Sequence, residues 1–466
     1  MKPPVRFDDS LPAFAELVKD AWGEIALSNN LFLRDASGRL TFIILQDSHS
    51  AEERATLASS AATQLGKYVD DAGFSVATPE ELFDDSLHDI SGALKLHLDD
   101  PRFKGDVYLI DRRMVGADWL RPPEPAAAAP ARFVFASLKG GVGRSTALCV
   151  LAAHLSAHGR RVIAIDMDLE APGLGNMLLS PDTLPEFGLL DYFVESEAGG
   201  GDIDEQFFAD MVGPSWLADG RGRVDVIPAI GKRSLLNPAN VLAKLARAYL
   251  GGSPLSKSLS FSDHMRLLVE RFADPLRYDA ILVDARAGLH ETTAAAITGL
   301  GAEVLFFGLD EPQTFAGYEL LFAHLATLSE SPVNEWRSHL HVIQSKAPND
   351  SRRREKFSQK MGSLVHKYSP REIPTDVDLD WSSLKDTFEV EWSKDHSMAV
   401  DSLLDAEPPS SVLAILDSDQ FRSFDPVANR DLLSEPSYLL PFSQLLEMAL
   451  TVIASFTERE PGGKQE

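Results

Sequence analysis

The chain has 466 residues, 44% hydrophobic and 24% charged, with a formal net charge of −26. Those proportions are globular and exclude a mainly disordered chain, and the acidic excess opposes broad adhesion to nucleic acid or anionic lipid. A single cysteine, Cys149, excludes an internal disulfide, a CxxC redox pair and a cysteine-built metal cluster within one chain. No uncharged apolar run reaches the ~18 residues of a membrane span, and Met1–Asp9 lacks the layout of a signal peptide. The expectation is a soluble cytoplasmic protein with no membrane partner.

The first 120 residues read as a small α/β unit. Leu11–Leu27 carries apolar residues at helical spacing. Leu31–Leu33 and Leu40–Leu45 flank Asp35–Gly38, a hairpin signal. Ser50 and Glu53 form a capping-box pattern opening a helix over 50–69, and 106–110 is a strand. This unit shows no catalytic set and reads as an adaptor or regulatory domain. Residues 121–131, with closely spaced Pro and a run of Ala, form a semi-rigid linker.

From 132 to 456 short apolar runs alternate with helical stretches. The runs are 132–137, 161–166, 224–229, 280–284, 303–308 and 340–345. Near-continuous apolar strands separated by helices predict a mostly parallel sheet covered on both faces, with ligands at the C-terminal strand ends. The polar segment 346–386, with Arg352, Arg353, Arg354 and Lys356, reads mainly as a solvated helix face. Ser443–Phe456 predicts an amphipathic helix packing on the sheet, and 457–466 a flexible tail.

The strongest local signal is Lys139-Gly140-Gly141-Val142-Gly143-Arg144-Ser145-Thr146, which follows the strand at 132–137 and opens an apolar helix. Glycines let backbone N–H groups curl around phosphate oxygens, and the helix N-terminus adds its positive dipole. A serine after the basic residue can ligate Mg²⁺. Asp166 and Asp168 end the second strand, where carboxylates at i and i+2 point the same way and suit a divalent cation with its water shell. A further apolar strand ends in Asp284. HExxH, Cys/His spacing for zinc and GxSxG are all absent.

The segment 139–146 resembles the deviant Walker A loop, KGGxGKT/S, of the ParA/MinD family of P-loop ATPases, and is closer still to the bacterial variant group reading KGGVGR. The resemblance covers 132–345 by motif and extends to 456 by element order, and it does not reach residues 1–120. It implies that Lys139 is the signature lysine that reaches across a nucleotide-sandwich dimer to the partner's phosphates. It places Gly140, Gly141, Val142 and Gly143 around the phosphates, Ser145 on Mg²⁺ and Thr146 on the α-phosphate. Arg144 stands where the usual lysine meets the β/γ-phosphates, a departure from the pattern. Asp166 then supports Mg²⁺, Asp168 orients the attacking water and Asp284 is the Walker B acid. Gly288 keeps the place of a glycine whose N–H meets the γ-phosphate, and Gln344, with Ser345 and Lys346, is the candidate adenine contact. Arg286 is extra, and its partner could be the γ-phosphate, Asp168 or Glu291. Asp310–Gln313 is expected to rim the site.

The function implied is an ATP/ADP-binding switch with weak Mg²⁺-dependent ATPase activity. It would dimerise with ATP and signal to a protein partner through the N-terminal unit. The alternative is a non-hydrolysing nucleotide-binding interaction protein, favoured by the change to Arg144. Net charge argues against a DNA partitioner. The scarcity of tyrosine, with none after Tyr438, argues against a tyrosine kinase.

Overall fold

The computed structural model describes residues 4–45, 49–70, 74–198, 203–217, 221–249, 259–328, 336–368 and 412–458. Most of the expected tail and the second half of the polar segment, from residue 369, lie outside these residues.

The N-terminal unit contains α1 (Phe7–Trp22), α2 (Glu24–Asn29), β1 (Leu31–Arg34), β2 (Leu40–Ile43), α3 (Ala51–Leu65), β3 (Val76–Ala77), β4 (Leu94–Asp99) and β5 (Lys104–Asp111). Its sheet runs β3-β2-β1-β5-β4. The single helix expected over 11–27 is broken because Gly23 sits at φ +82°, outside helical space. The capping box forms: the Ser50 hydroxyl accepts from the Glu53 N–H at 3.3 Å, and Glu53 accepts from the Ser50 N–H at 2.8 Å. Phe14, Phe32 and Phe42 meet at the centre of this unit's core.

The larger unit contains β6 (Ala131–Ser137), α4 (Arg144–Ala157), β7 (Arg161–Asp166), α5 (Leu174–Leu178), α6 (Leu189–Ala198), α7 (Glu205–Ala209), β8 (Gly213–Pro214) and β9 (Arg223–Ile227). It continues through α8 (Lys232–Leu236), α9 (Val241–Ala248), α10 (Phe261–Phe272), β10 (Ala280–Ala287), α11 (Glu291–Thr298), β11 (Glu303–Gly308) and α12 (Pro312–Thr327). It ends with β12 (Leu340–Ala347), α13 (Ser351–Tyr368), β13 (Leu413–Leu416) and α14 (Glu435–Glu458). Among the described residues these strands form one eight-stranded sheet, ordered β13-β12-β11-β6-β10-β7-β9-β8. Every pairing is parallel except β8 with β9.

β6 shows why the apolar runs are continuous. Val134 and Ala136 enter the core on one face, Phe133 and Phe135 that on the other, and the whole strand is buried. Chain order reverses about β6, with β10, β7 and β9 on one side and β11, β12 and β13 on the other. Doubly wound sheets bind ligands at such a reversal.

Residues 116–127 lie against the larger unit. Glu291 accepts the N–H groups of Gly116 and Asp118. Arg121 grips Asp263 through two 2.7 Å bonds. The Glu124 and Ala127 N–H groups donate to the carbonyls of Thr298 and Gly301 at 2.7 and 2.9 Å. A Pro/Ala-rich extended segment has no internal ladder, so its N–H groups find partners on the neighbouring helix ends.

The basic run 352–356 lies on α13, where Arg352 and Arg353 are exposed while Arg354 donates to the carbonyls of Pro348 and Asn349. Within α14, Glu435–Phe456 has the length and mean hydropathy, 1.5, to cross a bilayer. Its Tyr438, Phe442, Leu445, Leu446, Ala449 and Ile453 are instead buried in the core shared with α4 and the sheet.

Candidate functional site

The loop between β6 and α4 turns through Gly141 at φ +75° and Gly143 at φ +94°. L side chains rarely adopt these angles, so the loop requires glycine there. Its backbone ends at the N-terminus of a fourteen-residue helix, which favours an anion.

Parallel register brings the acids together. β10 and β7 pair so that Asp284 lies directly beside Asp166. Asp166 is buried and spans the next turn, accepting from the N–H groups of Asp168, Gly173 and Leu174 at 3.1, 3.2 and 3.0 Å. Burial pushes its carboxyl up to about 7, with the Asp284 charge adding to the rise. Asp284 is also buried. Its Oδ2 accepts from the Ser145 hydroxyl at 2.5 Å, and its Oδ1 has no hydrogen-bond partner. Burial raises it to about 6, against the pull of Arg144. Two adjacent buried carboxylates and an orphaned oxygen beside a hydroxyl form the oxygen-donor set of a hard divalent cation. Ser145 and Asp284 fit direct ligation. The oxygens of Asp166 are already engaged by backbone, so it fits balancing the cation's charge through water.

Arg144 is 8% exposed and turns toward these acids. Its Nη1 donates to the Ala285 carbonyl, and its Nη2 lies 3.8 Å from Asp168 Oδ2. Asp168 is half-buried. Burial raises its pKa, against the charges of Arg144 and Arg286. Lys139 points elsewhere and pairs with Glu311 at 2.8 Å, both side chains more than two-fifths exposed.

The structure thus brings Arg144, Ser145, Asp166, Asp168 and Asp284 into one cluster. Three expectations need correction. Arg286 pairs with Glu170 at 2.6 Å, because Glu291 is occupied by the N–H groups of Gly116 and Asp118. The Gly288 N–H donates to the Ser137 carbonyl at 2.9 Å, so in this conformation it is not free for a phosphate. Gln344 is buried in the ladder between β11 and β13 and does not line the cleft beside Thr146.

That cleft is walled by Ser345 and Lys346 together with Leu416, Asp417, Phe421 and Arg422. Lys346 adopts φ +49°, a strained angle for a residue with a side chain, and its Nζ reaches back to the Gly141 carbonyl at 3.2 Å. Asp417, Phe421 and Arg422 carry no sequence signal; they reach the loop only because β13 pairs with β12.

A mutation separates the two halves of the site. Ser145→Ala should weaken Mg²⁺-ATP binding at least about tenfold and metal-free ATP much less, by loss of a metal ligand. Titration calorimetry with and without Mg²⁺ checks this, and equal loss in both would remove Ser145 from the metal site.

Residues 133–372, over half of the chain, match the family model described as the CobQ/CobB/MinD/ParA nucleotide binding domain. No curated protein matches the chain. Among solved structures the chain is similar to a ParA family ATPase from Chlorobium tepidum, at 19% identity and TM-score 0.43, over 69% of this chain and 99% of that one. It is similar to the cell division ATPase MinD of Pyrococcus furiosus, at 16% identity and TM-score 0.38, over 72% of this chain and all of that one. A third, pNOB8 ParA bound to nonspecific DNA, is 14% identical with TM-score 0.39, over 72% of this chain and all of that one.

Proposed function

This chain belongs to the CobQ/CobB/MinD/ParA nucleotide-binding family, and from that premise we propose that it is a cytoplasmic ATP-operated switch. It binds Mg²⁺-ATP at the 139–146 loop, pairs with a second copy while ATP is held, and hydrolyses the nucleotide slowly. Residues 1–120 pass the state to a protein partner. The observation that carries the proposal is the convergence of Ser145, Asp166, Asp168 and Asp284 beneath a glycine loop at a helix N-terminus.

In this reading the loop N–H groups and Arg144 hold the phosphates, and Thr146 meets the α-phosphate. The nucleoside enters the cleft walled by Ser345, Lys346 and Phe421. A bound Mg²⁺ would be held by Ser145 and Asp284 and would screen the phosphate charge. Asp168 orients the attacking water. The second copy docks on the face around Lys139. An apolar cavity of about 180 Å³ opens there, and Leu289 on its lining is 50% exposed. The net charge of −26 opposes broad adhesion to nucleic acid.

The second reading, a nucleotide binder without turnover, is favoured by one contact. Arg144 lies against Asp168, whose charge it offsets. Arginine keeps a bidentate grip on phosphate oxygens but follows a moving γ-phosphate less well than a compact ammonium. A misfit of ~2.7 kcal/mol in the transition state slows turnover about a hundredfold. Arg144→Lys should therefore raise Mg²⁺-dependent phosphate release by about that factor, with little change in ATP affinity. A lower rate in Arg144→Lys means that the site is tuned to arginine. No release from either protein leaves the binder reading in place of the switch.

A further inference from the structure

The geometry points to a second metal site, remote from the phosphate loop, in which His154, His158 and Glu435 bind one Zn²⁺ and tie the end of α4 to the start of α14. His154 and His158 are one helical turn apart at i and i+4, so their rings share a face, with centroids 4.3 Å apart. Glu435 opens α14, which packs on α4, and its carboxylate comes to 3.6 Å from His158 Nε2. One donor atom from each of the three residues lies within 4.8 Å of the other two. Tetrahedral zinc with bonds of about 2.0–2.1 Å needs donors somewhat closer, and the half-exposed Glu435 and His158 side chains can rotate inward.

The hydrogen bonds prepare the donors. His158 Nδ1 lies 2.8 Å from the His154 carbonyl, which can only accept, so Nδ1 carries the proton. A neutral imidazole then presents its Nε2 lone pair on the Glu435 side, the tautomer a metal needs. The His154 ring is buried, with Tyr438 Oη 3.4 Å from Nδ1 as an outer contact that fixes the ring plane. Two imidazoles and one carboxylate suit zinc and leave a fourth position for water. No sequence motif marks this set, because its third ligand comes from a distant helix.

The test uses the full chain, stripped with chelator and titrated with Zn²⁺ against a chromophoric competitor in excess Mg²⁺, which occupies hard oxygen sites. One Zn²⁺ per chain should bind, and the unfolding temperature should rise with it. His158→Ala and Glu435→Gln, both at half-exposed positions, should each lower the affinity more than about tenfold and abolish that rise. Absence of stoichiometric uptake, parental affinity in both variants, or loss in only one of them overturns the two-helix site.

Discussion

Asp168→Ala should leave ATP binding and ATP-dependent pairing intact while cutting hydrolysis about a thousandfold, within the range a positioned acid–base group supplies. Asp168 follows β7 by two residues, and its Oδ1 accepts only the local Ala171 N–H at 3.2 Å. Losing that turn bond costs the fold about 1 kcal/mol. Burial raises the Asp168 pKa, which makes the carboxylate a better proton acceptor, and the charge of Arg144 at 3.8 Å opposes that rise. The effect belongs to the transition state, since orienting water contributes nothing to holding the nucleotide. Single-turnover phosphate release beside a nucleotide-binding titration separates the two. Unchanged hydrolysis removes Asp168 from the mechanism.

Lys139→Ala should abolish ATP-dependent pairing, weakening the dimer more than about a hundredfold, and leave monomer binding of ATP largely intact. In the single chain Lys139 is held by Glu311, in an ion pair exposed enough to be worth about 0–1 kcal/mol. That contact is cheap to break. Across a dimer the same ammonium would face phosphate charge shielded from water, where a charge-assisted bond is stronger. Glu311→Gln releases Lys139 and should pair at least as well as the parent. Normal pairing of Lys139→Ala would reduce Lys139 to a surface contact.

Much of the phosphate side of the site is legible in the sequence because it is local. Strand, glycine loop and helix are contiguous from Ala131 to Ala157, and Asp166 and Asp284 each close an apolar run. Their meeting follows from parallel pairing of β7 with β10, which the alternation of strands and helices predicts only as a class. On the other side of the loop only Ser345 and Lys346 are legible, as the end of an apolar run, and the wall from Leu416 to Arg422 is not. β13 has four residues and follows a long polar stretch, so no period marks it. Side-chain partners were equally hidden. Arg286 could be offered Asp168 or Glu291 from the sequence, but the fold gives it Glu170 and commits Glu291 to the segment at 116–118. The break at Gly23 shows the same limit at the level of helices, since apolar spacing continues across it while the backbone does not.

In the proposed switch, bound ATP rather than ADP makes two copies of this chain associate. Light-scattering mass of the full chain without nucleotide, with Mg²⁺-ADP and with a slowly hydrolysed Mg²⁺-ATP analogue tests it directly. The expected result is a monomer in the first two conditions and a dimer in the third; the same mass in all three would rule out ATP-dependent pairing.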